Sequence, residues 1–195
     1  MNREKIERTN LYRIRELALK SKRAVFSVQQ LANLIGKPKA VANVYSYRLV
    51  KKGLAKRLLG GKISFSDDEF INASQLMEPS YISLQSALLF HGLATQVPKD
   101  VECVTTRNSK RYTSLGIVYH RISPALYFGY VKHGKGDSYI LMAEPEKAVI
   151  DCVYLNAISQ GQAKELIMGL DRKKLEGLIK RCKGRGRKKI ERWLL

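Results

Sequence analysis

The tripeptide Gly36-Lys37-Pro38 separates two helical patterns and narrows, more than any other feature, what this chain can fold into. Before it, Ser27 is an N-cap residue and Val28, Leu31, Ala32 and Ile35 recur at helical spacing. Glycine ends that helix, and proline at the first helical position starts another. The second helix, about Pro38 to Lys52, carries Lys39, Arg48, Lys51 and Lys52 and no acidic residue. Gly53 ends it, and Leu54–Leu58 then faces Lys62–Phe65 across Gly60-Gly61 as a hairpin. Two helices joined by a tight turn and followed by a basic two-stranded ribbon describe a winged helix-turn-helix, which lays one helix in a DNA major groove.

Charge points to the same class of partner. The chain has 36 Lys+Arg against 17 Asp+Glu over 195 residues, a formal charge of +19. Residues 1–66 carry +13, residues 67–157 carry −2 and residues 158–195 carry +8. A basic head, a near-neutral middle and a basic tail imply at least two functional units, and the ends attract polyanions in a salt-sensitive way.

The expected division is a winged helix over residues 1–66, a linker over 67–79 marked by Asp68-Glu69 and Pro79, and an α+β domain over 80–195 with a helical tail. A helix over residues 2–21 places Ile6, Leu11, Ile14, Leu17 and Ala18 on one face. Ser83 is read as the cap of an apolar helix that closes at Gly92. Strands are expected at 101–106 and 116–122, and a hairpin pairs 127–133 with 138–142 around Gly134-Lys135-Gly136-Asp137. Glu144-Pro145-Glu146 opens a helix, and three more follow at about 159–169, 172–182 and 187–194.

Cys103, Cys152 and Cys182 have no paired spacing, so neither a zinc site nor a disulfide framework is expected. No signal-peptide pattern precedes Lys5, and the uncharged run Pro79–Pro98 is interrupted by polar residues and His91. The expectation is a cytoplasmic protein with no membrane contact.

On the helix Pro38–Lys52, Ala42, Tyr45 and Leu49 share the inward face, leaving Lys39, Asn43, Tyr47, Arg48 and Lys51 outside. Asparagine pairs bidentately with adenine, arginine with guanine, and lysine with phosphate. Lys37 at the helix entrance adds a phosphate contact, and Lys56, Arg57 and Lys62 decorate the hairpin. Tyr45 and Tyr47 would exchange roles if the helix phase slipped by one residue. No catalytic residue, metal ligand or cofactor is assigned. Glu144, Glu146 and Asp151 cluster, but they open and line a helix rather than project from strand ends. His91, His120 and His133 lack partner motifs, and no glycine-rich phosphate loop is present. For the tail, two readings stay open: a helical face packed through Leu175, Leu178, Ile179, Ile190, Trp193 and Leu194, or a second patch for DNA or structured RNA.

Four motifs follow one another in the order found in AbiEi-type antitoxins of type IV abortive-infection toxin–antitoxin systems: Tyr81–Leu93 (YISLQSALLFHGL), Val104-Thr105-Thr106, Phe128-Gly129 and Ala143–Asp151 (AEPEKAVID). With the N-terminal helices and hairpin, the chain resembles that family over residues from about 10 to 156. The resemblance implies transcriptional autorepression at the chain's own promoter through double-stranded DNA. It also implies a C-terminal domain that counteracts a nucleotidyltransferase-like toxin without a stable complex. This leaves room for a homodimer on DNA. The alternatives are an RNA-binding protein using both basic ends, or a free-standing transcriptional regulator without a toxin.

Overall fold

The computed structural model describes residues 10–184 and 186–195, which form a mixed α and β protein in two compact units. Chain up to Asn72 joins Lys135–Tyr139 in the first unit, and Ala73–Gly134 joins Ile140–Leu195 in the second. Among the described residues no helix is long and apolar enough to cross a membrane.

In the first unit, α1 (Leu11–Lys20) is capped by the Asn10 side chain and buries Ile14 and Ala18. Ile6 and the rest of the expected residues 2–9 of this helix lie outside the described residues. Strand β1 (Val25–Phe26) follows, then α2 (Val28–Ile35), then α3 (Lys39–Lys51). Ser27 caps α2 through a full capping box: its hydroxyl accepts the Gln30 N–H while the Gln30 side chain accepts the Ser27 N–H. Gly36 takes the left-handed conformation at φ 63° that closes α2. Pro38 is extended, at ψ 149°, so α3 begins at Lys39, one residue later than the proline rule suggests. Strands β2 (Lys56–Arg57) and β3 (Ile63–Ser64) are joined by Gly60 and Gly61, both at positive φ, the geometry that a two-residue hairpin turn requires. The sheet order is β1-β3-β2, antiparallel throughout. Ile14, Ala18, Phe26, Leu31, Leu49 and Ile63 form the core, with Leu34, Tyr45 and Phe65 packed on it. Strand β1 is too short to show alternation and has no sequence signature of its own.

The segment 67–79, expected as a linker, contains a helix. Helix α4 spans Glu69–Leu76, and the Asp68 carboxylate accepts the Ile71 N–H at its start. The acidic pair that reads as a break in composition is thus helix-start chemistry. Asp68 also pairs with Lys135 at 3.0 Å, within the first unit.

The second unit holds β4 (Ser80–Ile82), α5 (Leu84–Phe90), β5 (Val101–Thr105), β6 (Lys110–Tyr112) and β7 (Ile117–Arg121). After these come β8 (Tyr130–Lys135), β9 (Ser138–Ala143), α6 (Pro145–Leu155), α7 (Gln160–Ile167), α8 (Arg172–Arg181) and α9 (Arg187–Leu194). The sheet order is β6-β7-β5-β4-β9-β8, with β5–β7 and β4–β9 parallel and β4–β5 and β6–β7 antiparallel. The turn between β8 and β9 shrinks to Gly136-Asp137, and β8 starts at Tyr130 because a 3-10 turn occupies Pro124–Leu126.

Helix α6 is the centre of the helical layer. Residues Glu146 to Val153 are all buried, and α5, α7, α8 and α9 pack against the helix. The apolar tail positions Leu175, Leu178, Ile179, Ile190 and Leu194 are buried, so the packing reading of the tail holds for α8 and α9. Lys174 of α8 meets Glu144 at 2.8 Å and Glu146 at 3.3 Å, at the α6 N-terminus. Its hydrogen bond to Glu144 is the main cause of a pKa above the ordinary lysine value. Lys189 of α9 donates to Val153 O (2.6 Å) and to the Asn156 side chain, closing the other end. Two basic tail residues therefore hold α6 at both ends: Lys174 through the carboxylates of the first turn, and Lys189 through a carbonyl of the last turn, where a helix leaves carbonyls without intrahelical partners.

Candidate nucleic-acid interface

Three α3 side chains, Ala42, Ser46 and Leu49, are buried, and Tyr45 packs on the core from the side. This resolves the helix phase: Tyr45 faces in and Tyr47, 59% exposed, faces out. Lys39, Asn43, Arg48 and Lys51 are all exposed: Arg48 and Lys51 on the outward side, Asn43 at its edge and Lys39 in the first turn, with Lys52 at the C-cap. Ser46, between Ala42 and Leu49 on that face, is buried with them. Lys37 sits half-buried in the α2–α3 turn, where its N–H donates to Ala32 O.

On the hairpin, Lys56 and Arg57 are exposed, and Lys62 is half-buried beside the turn. Arg57 pairs in register with Ile63, and Lys56 with Ser64, so backbone pairing holds β2 while its side chains reach solvent. Lys56 comes within 3.9 Å of Asp67, and both are largely exposed, which leaves that contact weak in water. Among the described residues, Lys39, Arg48, Lys51, Lys52 and Arg57 have no carboxylate within ion-pair distance. The structure thus places all nine expected contact residues in one unit: five exposed on α3, one at its entrance and three on the hairpin. Unpaired cations on an exposed helix and ribbon can bind phosphate without first breaking internal ion pairs.

Val41 and Val44, 39% and 47% exposed, also lie on the outward side and were missed by reading only polar residues. The signal was present, because Val44 sits three residues before Tyr47 and four before Arg48.

The acidic cluster of the second unit has a different geometry. Lys147 and Asp151, one turn apart on α6, are both fully buried and paired to each other. Tyr81 Oη and Ser83 Oγ donate to the other Asp151 oxygen at 3.0 and 2.8 Å. The Lys147 ammonium lies 5.5 Å from the Tyr81 ring centroid and 5.4 Å from that of Phe128. A Cβ at Gly129, which has φ 72°, would come within 3.0 Å of the Lys147 side chain. Burial, then the neighbouring Asp151 charge, push the Tyr81 phenol well up. These residues form a closed network in which the carboxylate has its acceptor sites used, the condition for tolerating a buried charge.

Ser83 accordingly does not cap α5. Its hydroxyl is committed to Asp151, and Glu102 from β5 accepts the Gln85 N–H at 2.9 Å in its place. Serine at the right position is an N-cap only when its oxygen is turned toward the helix amides, and here the hydroxyl is turned to Asp151. His91 bonds Ala143 O at 2.8 Å, His133 meets the Phe90 ring and His120 lies 3.9 Å from Glu102. All three cysteines are buried as free thiols, and burial pushes each thiol pKa up.

Residues from three of the motif segments, Tyr81 and Ser83, Phe128-Gly129, and Lys147 with Asp151, meet in this one network. No protein-family model matches the chain, and no curated protein matches it.

Proposed function

We propose that the first unit is a winged helix-turn-helix that binds specific double-stranded DNA, with α3 in the major groove and the β2–β3 hairpin on flanking backbone. The observation that carries this reading is the exposure of Lys39, Asn43, Arg48 and Lys51 on α3 together with that of Lys56 and Arg57 on the hairpin. Helix-turn-helix spacing, an acid-free second helix and a basic ribbon are the parts such docking uses. The protein then acts as a cytoplasmic transcriptional repressor at its own promoter, performing no chemistry.

The resemblance to AbiEi-type antitoxins extends this proposal to the second unit, which would counteract a nucleotidyltransferase-like toxin without holding it in a stable complex. What supports that extension is the convergence of residues from three of the four resembling segments on one buried network. In that case the network holds the fold that faces the toxin, since neither Lys147 nor Asp151 reaches solvent.

The test is a mobility-shift series with the full chain on the gene's upstream DNA and on random duplex of the same length. Preferential binding of the upstream DNA, lost in Arg48→Ala, is the expected result; equal affinity for both duplexes rejects the reading. Growth rescue upon expression of a neighbouring toxin gene, without co-purification, is expected for the second unit.

A second reading, RNA binding through both basic ends, is favoured by one observation. Lys173, Lys180, Lys183, Lys188 and Arg192 are exposed on or between α8 and α9, and no carboxylate among the described residues pairs with them. Tighter binding of structured RNA than of upstream duplex at equal salt would favour it.

A further inference from the structure

We propose that Val44, with Val41 beside it, reads the 5-methyl groups of thymine, so that the target of α3 carries A·T pairs facing the middle of the helix. This rests on the reading of α3 as the groove helix and names what that helix recognises.

The argument begins with the buried side. Ala42, Ser46 and Leu49 define the inward direction of α3, and at 3.6 residues per turn the opposite line runs through Ala40, Val44 and Lys51, with Val44 at the middle of the helix. Val44 is 47% exposed, and Val41, one turn earlier, is 39% exposed. Around them stand Ala40, Asn43, Tyr47, Arg48 and Lys51, all exposed. The central position, which would enter a groove deepest, is apolar, and the hydrogen-bonding and charged groups flank it.

Scattered exposed valines are ordinary on protein surfaces. Here, however, two valines sit at i and i+3 on a helix, where β-branching disfavours the conformation, and both remain exposed. They also share the helix with Arg48 and Lys51, cations that draw a polyanion to the face. The base edges of a duplex offer one apolar group to such a patch, the thymine methyl in the major groove. Cytosine, guanine and adenine edges would instead leave their donors and acceptors against valine without a partner. The arrangement therefore favours thymine at the centre, with Asn43 and Arg48 placed to pair with adenine and guanine on either side.

The experiment uses the full chain. Binding duplexes are selected from a random library, and the best duplex is then made with deoxyuridine in place of thymine, which removes only the methyl groups. The wild-type chain should lose about fourfold in affinity per contacted methyl, the scale of burying one methyl group. Val44→Ala, which improves helix propensity and so keeps α3 folded, should bind thymine and deoxyuridine duplexes within twofold of each other. Arg48→Ala should weaken both equally while retaining the thymine preference. Unchanged wild-type affinity after deoxyuridine replacement overturns the proposal, as does a thymine preference that survives in Val44→Ala. In either case loss of binding in Arg48→Ala leaves the groove-helix reading standing. Selection that enriches no sequence rejects both readings at once.

Discussion

Lys51 and Lys147 are the same side chain in opposite circumstances. Lys51 stands exposed on α3 with no carboxylate among the described residues within ion-pair distance, in the part of the chain that carries +13. Lys147 is fully buried on α6, in the near-neutral middle, and meets Asp151, two rings and a glycine cut to fit it. A solvated lysine contributes little to stability and remains free to meet a ligand. A buried one costs several kcal/mol in lost hydration, which the pair and its hydrogen bonds must offset. Net charge by region therefore locates the face that can recognise a polyanion, but says nothing about where charge holds the fold together.

The largest expected effect breaks this contrast from the buried side. Asp151→Ala leaves the Lys147 ammonium uncompensated in the interior and should destabilise the second unit by about 3–5 kcal/mol in denaturant unfolding. Replacing both residues by apolar ones of similar size, Lys147→Met with Asp151→Leu, should recover most of that loss. A double variant no more stable than Asp151→Ala would mean that Tyr81 and Ser83, left without their acceptor, carry the cost.

From the exposed side, Arg48→Ala should weaken specific DNA binding by about 1–3 kcal/mol while moving stability by less than about 0.5 kcal/mol. Binding titrations and thermal melts on one preparation separate the two quantities. Equal loss in both would place Arg48 in packing rather than recognition.

A smaller effect tests whether the first unit depends on local rather than tertiary interactions. Ser27→Ala removes the capping box of α2 and should cost about 1 kcal/mol. Ser83→Ala is the control, since that hydroxyl serves Asp151 instead of α5. Its loss should be felt as a weakened buried network, with destabilisation that disappears when Asp151 is also replaced.

The smallest effect concerns pH. Burial raises the Glu102 carboxyl above its ordinary value of 4.5, against the opposing pull of the Gln85 N–H. Glu102 thus binds a proton more readily folded than unfolded, so its contribution to stability falls as pH rises from about 4.5 through the raised folded value. Glu102→Gln keeps an acceptor for Gln85 and removes the titration. The variant's melting temperature should gain on the wild type as pH rises from 4 to 7, and parallel profiles would rule this out.

Much of the architecture was legible because it rests on local chemistry. Ser27, Gly36, Gly53 and Gly60-Gly61 mark boundaries through caps and left-handed backbone, which neighbouring residues decide among themselves. The same holds for β5, β7, α6 and the tail helices, whose patterns are long enough to show a period. Strands β1, β4 and β6 were not legible: two or three residues cannot display alternation, and only their partners make them strands. The candidate interface was readable from the apolar side of α3, since residues that must be buried fix which ones face out.

The sequence by itself determined the two helices, their turn, the basic hairpin and the uneven distribution of charge, because each follows from neighbours a few residues apart. Only the tertiary structure decided that Glu102 rather than Ser83 caps α5, and that Lys147 and Asp151 close a network with Tyr81 and Ser83. Those partners lie 17 to 70 residues apart, save the Lys147–Asp151 pair itself. Which acceptor a buried hydroxyl or amide finds is a competition among groups that meet only when the sheet and α6 come together.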